Sequence, residues 1–288
     1  MNHHDDILAY YAAPAPMTAL PSNLRARTPG TVAEAFQLVQ GVLMHRYWAG
    51  AYGERLTPER EAGAQLRSAA EMADAVVAID PAPLTEPRPP ARRLIGVCRH
   101  FSVLAVALLR LHGHPARARC GFADYFDGTP VDHWVVEYWD GAAWKLGDAQ
   151  LDAVQRGALK PSFDPLDVPR DRFLVAGEAW RRCRAGEADP AAFGIMHLRG
   201  LWFVAGNVVR DMAALNKVEL LPWDVWGLAP QNDDALDQAG LALLDEAAAL
   251  GRAPDADFER LQALYRASPA LEVPERVLNV QTGALEAA

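Results

Sequence analysis

Cys98-Arg99-His100-Phe101-Ser102-Val103-Leu104-Ala105-Val106-Ala107-Leu108-Leu109-Arg110-Leu111, followed by Gly113-His114-Pro115, is the stretch whose reading decides the fold. It is apolar over a helical length and ends at a Gly stop backed by a Pro that cannot continue a helix. A helix is therefore predicted from Cys98 to Leu111, with Cys98 at its N-terminus. From Ala116 to Leu151 the pattern changes to aromatic and β-branched runs: Arg117 to Phe122, His133 to Trp139 and Ala143 to Asp148. The turn signals Asp127-Gly128 and Asp140-Gly141 separate them, which predicts three antiparallel strands in a meander.

This order of elements has chemical content. A thiol attacks as thiolate, and a helix N-terminus favours the anion by directing unpaired N–H groups at the sulfur. Cys98 is the candidate nucleophile. An imidazole supplies a general base because its unperturbed pKa of ~6.5 lets it exchange a proton with the thiol near neutrality. His133 opens the second strand and fills that role. A carboxylate that fixes the imidazole tautomer completes such a group, and Asp148 ends the next strand. Pairing Val136–Tyr138 with Trp144–Leu146 across the Asp140-Gly141 turn brings Asp148 near His133 or its immediate neighbours. Cys120 and Cys183 lack this context and read as small core residues.

Four segments in this region resemble the bacterial-type transglutaminase-like cysteine enzymes of the papain-like superfamily. Gly96-Val97-Cys98-x-x-Phe101-Ser102 looks like the nucleophile motif, and Gly113-His114-Pro115-Ala116-Arg117 is similar to the Gly-x-Pro-Ala-Arg that closes the nucleophile helix. His133-Trp134 with Glu137 and Tyr138 resembles the His-aromatic strand. Trp144-Lys145-Leu146-Gly147-Asp148 resembles the Trp-x-x-x-Asp strand that supplies the acid. Arg99-His100 and Ala149 depart from the commoner pattern around the nucleophile and the acid. The resemblance covers residues 91–152 and implies an α+β fold, with the nucleophile helix packed on an antiparallel sheet. It also implies acyl transfer through a thioester on Cys98, resolved by an amine or by water. A protease or deamidase using water only, and a catalytically idle binding scaffold, are the alternatives. For the oxyanion hole the resemblance points to the Cys98 backbone N–H and to an upstream Trp or Gln; Trp48 is the only upstream Trp.

Outward from this core, Thr31-Val32-Ala33-Glu34 fits a capping box and opens a helix to about Trp48, with Val32, Phe36, Val39, Leu43 and Tyr47 on one stripe. Thr57-Pro58 opens a second helix towards Ile79. Residues 80–92 hold five prolines in thirteen positions and read as a linker or surface arm. Helical patterns return at 198–212, 233–250 and 256–267. Asn207, Arg210 and Trp223, beside a buried stripe and an aromatic loop, are candidate pocket residues together with Trp134; packing alone also explains all four. The expected organisation is a helical N-terminal part with its linker over 1–90, a catalytic core over 91–165 and a helical region over 166–288 packed on the core.

Composition narrows the partners. A hydrophobic fraction of 51% with 23% charged residues is that of a globular chain. A net charge of −9 disfavours nucleic acid. The densest basic cluster, Arg181-Arg182-x-Arg184, is flanked by Glu178 and Glu187 and reads as a solvated helix face. Apolar runs are cut at Arg110 and Asn207, too short to cross a bilayer. The acidic start with no apolar signal region reads as cytoplasmic, and His3-His4-Asp5-Asp6 as a disordered end. His100, His112 and His114 lack partners at metal-ligand spacing, so no metal or cofactor is expected. The expected substrate is a peptide, a protein or a small molecule bearing an acyl group.

Overall fold

A computed structural model describes residues 3–28, 30–229, 232 and 235–288. The chain is α+β and divides into two compact units, Met1–Ala118 with Val135–Pro169, and Arg119–Trp134 with Arg170–Ala288. The chain crosses from one unit to the other at 118–119, 134–135 and 169–170.

The first unit is organised on the predicted nucleophile helix. It contains α1 (His3–Ala12), α2 (Val32–Val42), β1 (Leu43–His45), α3 (Pro58–Glu61), α4 (Ala69–Ile79), β2 (Leu94–Gly96), α5 (Cys98–Leu111), the start of β3 (Ala116–Ala123), the end of β4 (Val131–Trp139), β5 (Trp144–Gly147) and α6 (Ala153–Leu159). Helices α1, α2 and α4 all pack on α5, whose residues from Cys98 to Arg110 are all buried. Arg110 donates from Nε to the carbonyls of Tyr11 and Ala116 and from Nη1 to Thr18 Oγ1, so its Nε and Nη1 groups find acceptors inside the protein.

Four expectations are corrected here. His3–Asp6 are helical: they open α1, which buries Ile7 and Tyr11, four residues apart on one face, and the His4 ring meets Trp139 edge-on at 4.9 Å. The first long helix stops at Val42, where Leu43–His45 leave it to pair in parallel with Leu94–Gly96. The helix expected over 57–79 is broken at 66–68. There Arg99 takes the carbonyls of Leu66 and Arg67, and Ser68 with Glu71 forms a capping box that starts α4 afresh. The proline-rich run is no loose arm, because the buried Arg88 guanidinium gathers the carbonyls of Asp80, Ala82, Pro83 and Glu86.

The meander forms with a register one residue from that expected. Val136 faces Gly147 and Trp139 faces Trp144, which makes a four-residue loop of 140–143. The Asp140 carboxylate dictates it by accepting from both Ala142 and Ala143 N–H. A slip of one residue reverses the face of every side chain on the strand, so this loop fixes which way the end of β5 points. Strand β4 also starts at Val131, placing His133 inside it rather than at its start.

The second unit contains the rest of β3 and β4, then β6 (Phe173–Val175), α7 (Ala176–Arg184), β7 (Gly194–Ile195), β8 (Leu198–Arg199), α8 (Leu201–Leu215), β9 (Asp224–Val225), α9 (Gln238–Arg252), α10 (Phe258–Ala267), β10 (Arg276–Asn279) and β11 (Ala284–Ala287). β6 pairs with β3 at Gly121–Ala123, and β7 joins β4 at Val131. Helix α8 begins at Leu201, since Leu198 and Arg199 belong to a short strand. The expected start of the next helix at 233–234 lies outside the described residues; α9 itself begins at Gln238. Helices α7, α8 and α9 pack together, and β9–β10–β11 form a separate antiparallel ladder.

The arginines of α7 are neutralised locally. Glu178 meets Arg181, Arg182 and Arg252 at 2.8–2.9 Å, and Arg184 meets Asp245 at 3.2 Å. Hydrogen bonds from Arg181 lead the causes that hold the Glu178 carboxyl down at about 2 from its ordinary 4.5. A depressed carboxyl contributes stability above its unfolded value and loses it as pH falls through the folded one. Glu178→Gln is therefore expected to cost about 1 kcal/mol at pH 7, a figure reduced for solvent screening. In urea titrations that cost should shrink between pH 5 and pH 2; an equal penalty at both ends contradicts the assignment.

Candidate active site

Cys98 is the first residue of α5, and the backbone leading to it is built for that place. β2 delivers Gly96 and Val97, and Val97 is the N-cap in extended conformation with no side-chain oxygen to offer. His100 fills the gap: its Nδ1 accepts the Val97 N–H at 3.2 Å. The ring folds back so closely that a Cβ on residue 96 would lie 2.8 Å from His100 Cβ, which explains the glycine of Gly-Val-Cys. Burial, then the positive charges of Arg99 and His45, push His100 well below the ordinary imidazole range, and a neutral ring accepting at Nδ1 carries its proton on Nε2. The two residues that departed from the familiar motif are thus structural: Arg99 ties α5 to the 66–67 carbonyls and His100 caps its first turn.

The thiols differ. Cys98 is 6% exposed, Cys120 is fully buried and Cys183 is 9% exposed. Burial pushes Cys183 up to about 11, which leaves it inert at neutral pH.

His133 is 2% exposed on β4. Its ring stands edge-on to Tyr125, Phe126 and Phe173 at centroid distances of 5.9, 4.8 and 6.4 Å, so three aromatic rings restrict its orientation. Its neighbour Asp132 is also buried, and desolvation raises that carboxyl above its ordinary value. Asn207 donates to Asp132 Oδ1 at 2.7 Å and accepts from Arg210 Nη1 at 2.9 Å. Asn207 and Arg210 therefore reach the strand of the candidate base through Asp132.

Asp148 is fully buried just past β5. Its N–H donates to Pro165 O at 2.7 Å, and its Oδ1 accepts the Gln150 N–H at 2.9 Å. Gly147 before it has no room for a side chain, since a Cβ there would lie 2.8 Å from the Phe36 ring. Carried one residue past the Val136–Gly147 pair, the register sets Asp148 opposite Val135. Val135 shares a face of β4 with His133, because side chains alternate; the register expected from sequence gives the opposite face.

Trp48, Trp134 and Trp223 complete the candidate set. Trp48 is partly buried in the short helical turn Arg46–Tyr52. Trp134 is 1% exposed, on the opposite face of β4 from His133. Trp223 precedes β9, and its carbonyl accepts the Val280 N–H, so the C-terminal ladder holds it. Among the described residues no group of three or more His, Cys, Asp or Glu side chains forms a cage for a metal ion, and no helix is long and apolar enough to cross a membrane.

Sequence reading missed the polar side chains behind Asp148. Gln150 Nε2 donates to Gln155 Oε1, Gln155 Nε2 to Tyr52 Oη, and Tyr52 Oη to Asp152 Oδ2. Gln40 Nε2 adds donations to the carbonyls of Ala149 and Leu151. The local signal was Gln150, two residues after the acid, with Gln155 five residues on; Tyr52 and Gln40 lie about a hundred residues away in sequence.

Residues 60–149 match the family model of the transglutaminase-like superfamily. No curated protein matches the chain. A solved structure from Cytophaga hutchinsonii, named "Putative Cysteine Protease", is similar at 18% identity and a TM-score of 0.33. The match covers 59% of this chain and 45% of that one, less than half its length.

Proposed function

We propose, from a transglutaminase-like superfamily domain at residues 60–149, that the protein is a cysteine acyltransferase in which Cys98, His133 and Asp148 act as nucleophile, general base and orienting carboxylate. The observation that carries this reading is Cys98 as the first residue of a fourteen-residue buried helix. A thiolate there lies at the positive end of the helix dipole. The β5 register supports the role of Asp148, and the aromatic collar around His133 supports an imidazole held in one orientation.

In the first step His133 takes the thiol proton and Cys98 Sγ bonds to the carbonyl carbon of an amide. The oxyanion is stabilised by N–H donors, the Cys98 N–H among them. The C–N bond then breaks, the imidazolium gives its proton to the departing amine or ammonia, and a thioester remains on Cys98. In the second step an amine or water attacks the thioester while His133 accepts its proton, and the C–S bond breaks to restore the thiolate. Substrate contacts by Asn207, Arg210 and Trp223, and a Trp48 donor to the oxyanion, extend the same reading; Trp134, buried on the other face of β4, is left out of it.

Incubation with a glutamine-containing peptide, with and without a primary amine, tests it by ammonia release and peptide mass. The expected result is ammonia in both cases and an amine-linked product only when amine is present. Acid product alone, with amine in excess, assigns the site to hydrolysis. No ammonia and no mass change for glutamine or other acyl donors overturns the proposal.

A further inference from the structure

We infer that Tyr52 and Gln155 are positioning residues for Asp148, the far end of a hydrogen-bond chain that starts at Gln150 and sets the acid's loop; this rests on the triad reading above. The Gln150 backbone N–H donates to Asp148, and from the Gln150 side chain outward every donor points away from the acid, towards Asp152. Asp148 Oδ1 accepts the Gln150 N–H at 2.9 Å, and the Gln150 side chain then donates to Gln155 at 2.9 Å. Gln155 donates to Tyr52 at 3.3 Å, and Tyr52 donates to Asp152 at 2.7 Å. Such a sequence ends best on a negative charge, and Asp152 supplies one. Its other oxygen caps α6 by accepting Val154 and Gln155 N–H at 3.0 Å, and Arg93 lies 3.7 Å away. Aligned donors polarise one another, so a break at one member weakens the rest.

The chain is also anchored at both ends. Tyr52 packs against the cluster of Met44, Ala49 and Ile95, beside β1 and its partner β2, the strand that leads to Cys98. Gln150 and Gln155 are buried at 2% and 0% exposure, so neither amide has water to fall back on. The same chain thus links the β2 end of the nucleophile segment to the turn that carries the acid, within one unit. Burial leads the causes that raise the Tyr52 hydroxyl far above its ordinary range, so it remains a donor at any pH of interest.

The test follows Cys98 carbamidomethylation by iodoacetamide against pH, resolved by peptide mass, in the wild type and in Tyr52→Phe, Gln155→Leu and Tyr265→Phe. His45, Arg99 and His100, the charged and titratable groups near the start of α5, are unchanged in all of them. Loosening Asp148 removes support from the imidazolium that pairs with the thiolate. Tyr52→Phe and Gln155→Leu are expected to move the midpoint of the curve upward by about half a pH unit or more, and to lower kcat about 10-fold with KM within about twofold, as loss of outer partners does. Tyr265→Phe removes a hydroxyl that accepts from Val273 N–H and should leave the curve unchanged. Should Tyr52→Phe fail to fold by circular dichroism, Gln155→Leu decides. Curves of both variants that overlay a wild type already reactive at neutral pH overturn the positioning role while the triad stands. A wild-type Cys98 that reacts as an ordinary thiol removes the triad and this inference together.

Discussion

Cys98→Ala is expected to lower kcat by on the order of 10^5- to 10^6-fold, the scale of losing the nucleophile of a catalytic triad. No other side chain can form the thioester, since Cys120 is fully buried and burial holds Cys183 up at about 11. His133→Ala should cost a comparable factor, because the thiol and its base act as a unit, and Asp148→Asn on the order of 10^4-fold, because an amide favours the wrong imidazole tautomer. The diagnostic result is non-additivity: Cys98→Ala/His133→Ala should be scarcely worse than Cys98→Ala alone. Rates measured with any acyl donor that turns over, together with an unchanged circular dichroism spectrum, provide the check. Full activity of Cys98→Ala, or losses that multiply, would contradict a single catalytic unit.

Asp211→Ala is expected to destabilise the protein by about 3–5 kcal/mol, the range for removing one partner of a buried ion pair. Asp211 takes Arg119 in a fork, Nε to Oδ1 at 3.0 Å and Nη2 to Oδ2 at 2.8 Å, and Oδ1 also accepts the Cys120 N–H at 2.9 Å. Both side chains are at most 2% exposed, so the arginine left behind has no water to turn to. Arg119 keeps a donation to the Gly251 carbonyl at 2.6 Å, which satisfies one N–H and not the charge. The double variant Arg119→Met/Asp211→Leu should recover part of the loss, because it removes the charge while stranding the Cys120 N–H and the Gly251 carbonyl. Urea unfolding of the three variants measures this. A cost under about 1 kcal/mol for Asp211→Ala, the scale of a solvent-exposed pair, would show that the pair is hydrated.

What could be read from the chain and what could not divide along physical lines. The limits of α5 were legible because its apolar run, its Gly-Pro stop and the cysteine at its start are all local. The triad candidates were legible for the same reason, each lying in a short stretch with its own pattern. The end of α2 at Val42 was hidden, since what pulls Leu43–His45 out of the helix is a ladder with β2 some fifty residues on. The break at 66–68 depends on Arg99, a residue that by local pattern only looked out of place after the nucleophile. The face on which Asp148 emerges turned on one side chain: the Asp140 carboxylate accepts two loop N–H groups and so lengthens the loop to four residues. In α1, Ile7 and Tyr11 are spaced for a helix face, but the charged start masked that pair. Tyr52, Gln150 and Gln155 show no pattern in the sequence, because a hydrogen-bond chain between distant segments has no period to detect.

The central claim is that the Cys98 sulfur is held as a thiolate by the imidazole of His133. Its most direct test needs no substrate: the rate of Cys98 alkylation against pH, resolved by peptide mass, in the wild type and in His133→Ala. The account predicts a wild-type rate already near its plateau at pH 7, Cys120 and Cys183 unlabelled on that timescale, and a His133→Ala curve that rises only towards the ordinary thiol range of ~8.5. Superimposable curves for the two proteins, or a wild-type Cys98 that labels no faster than Cys183, would contradict it.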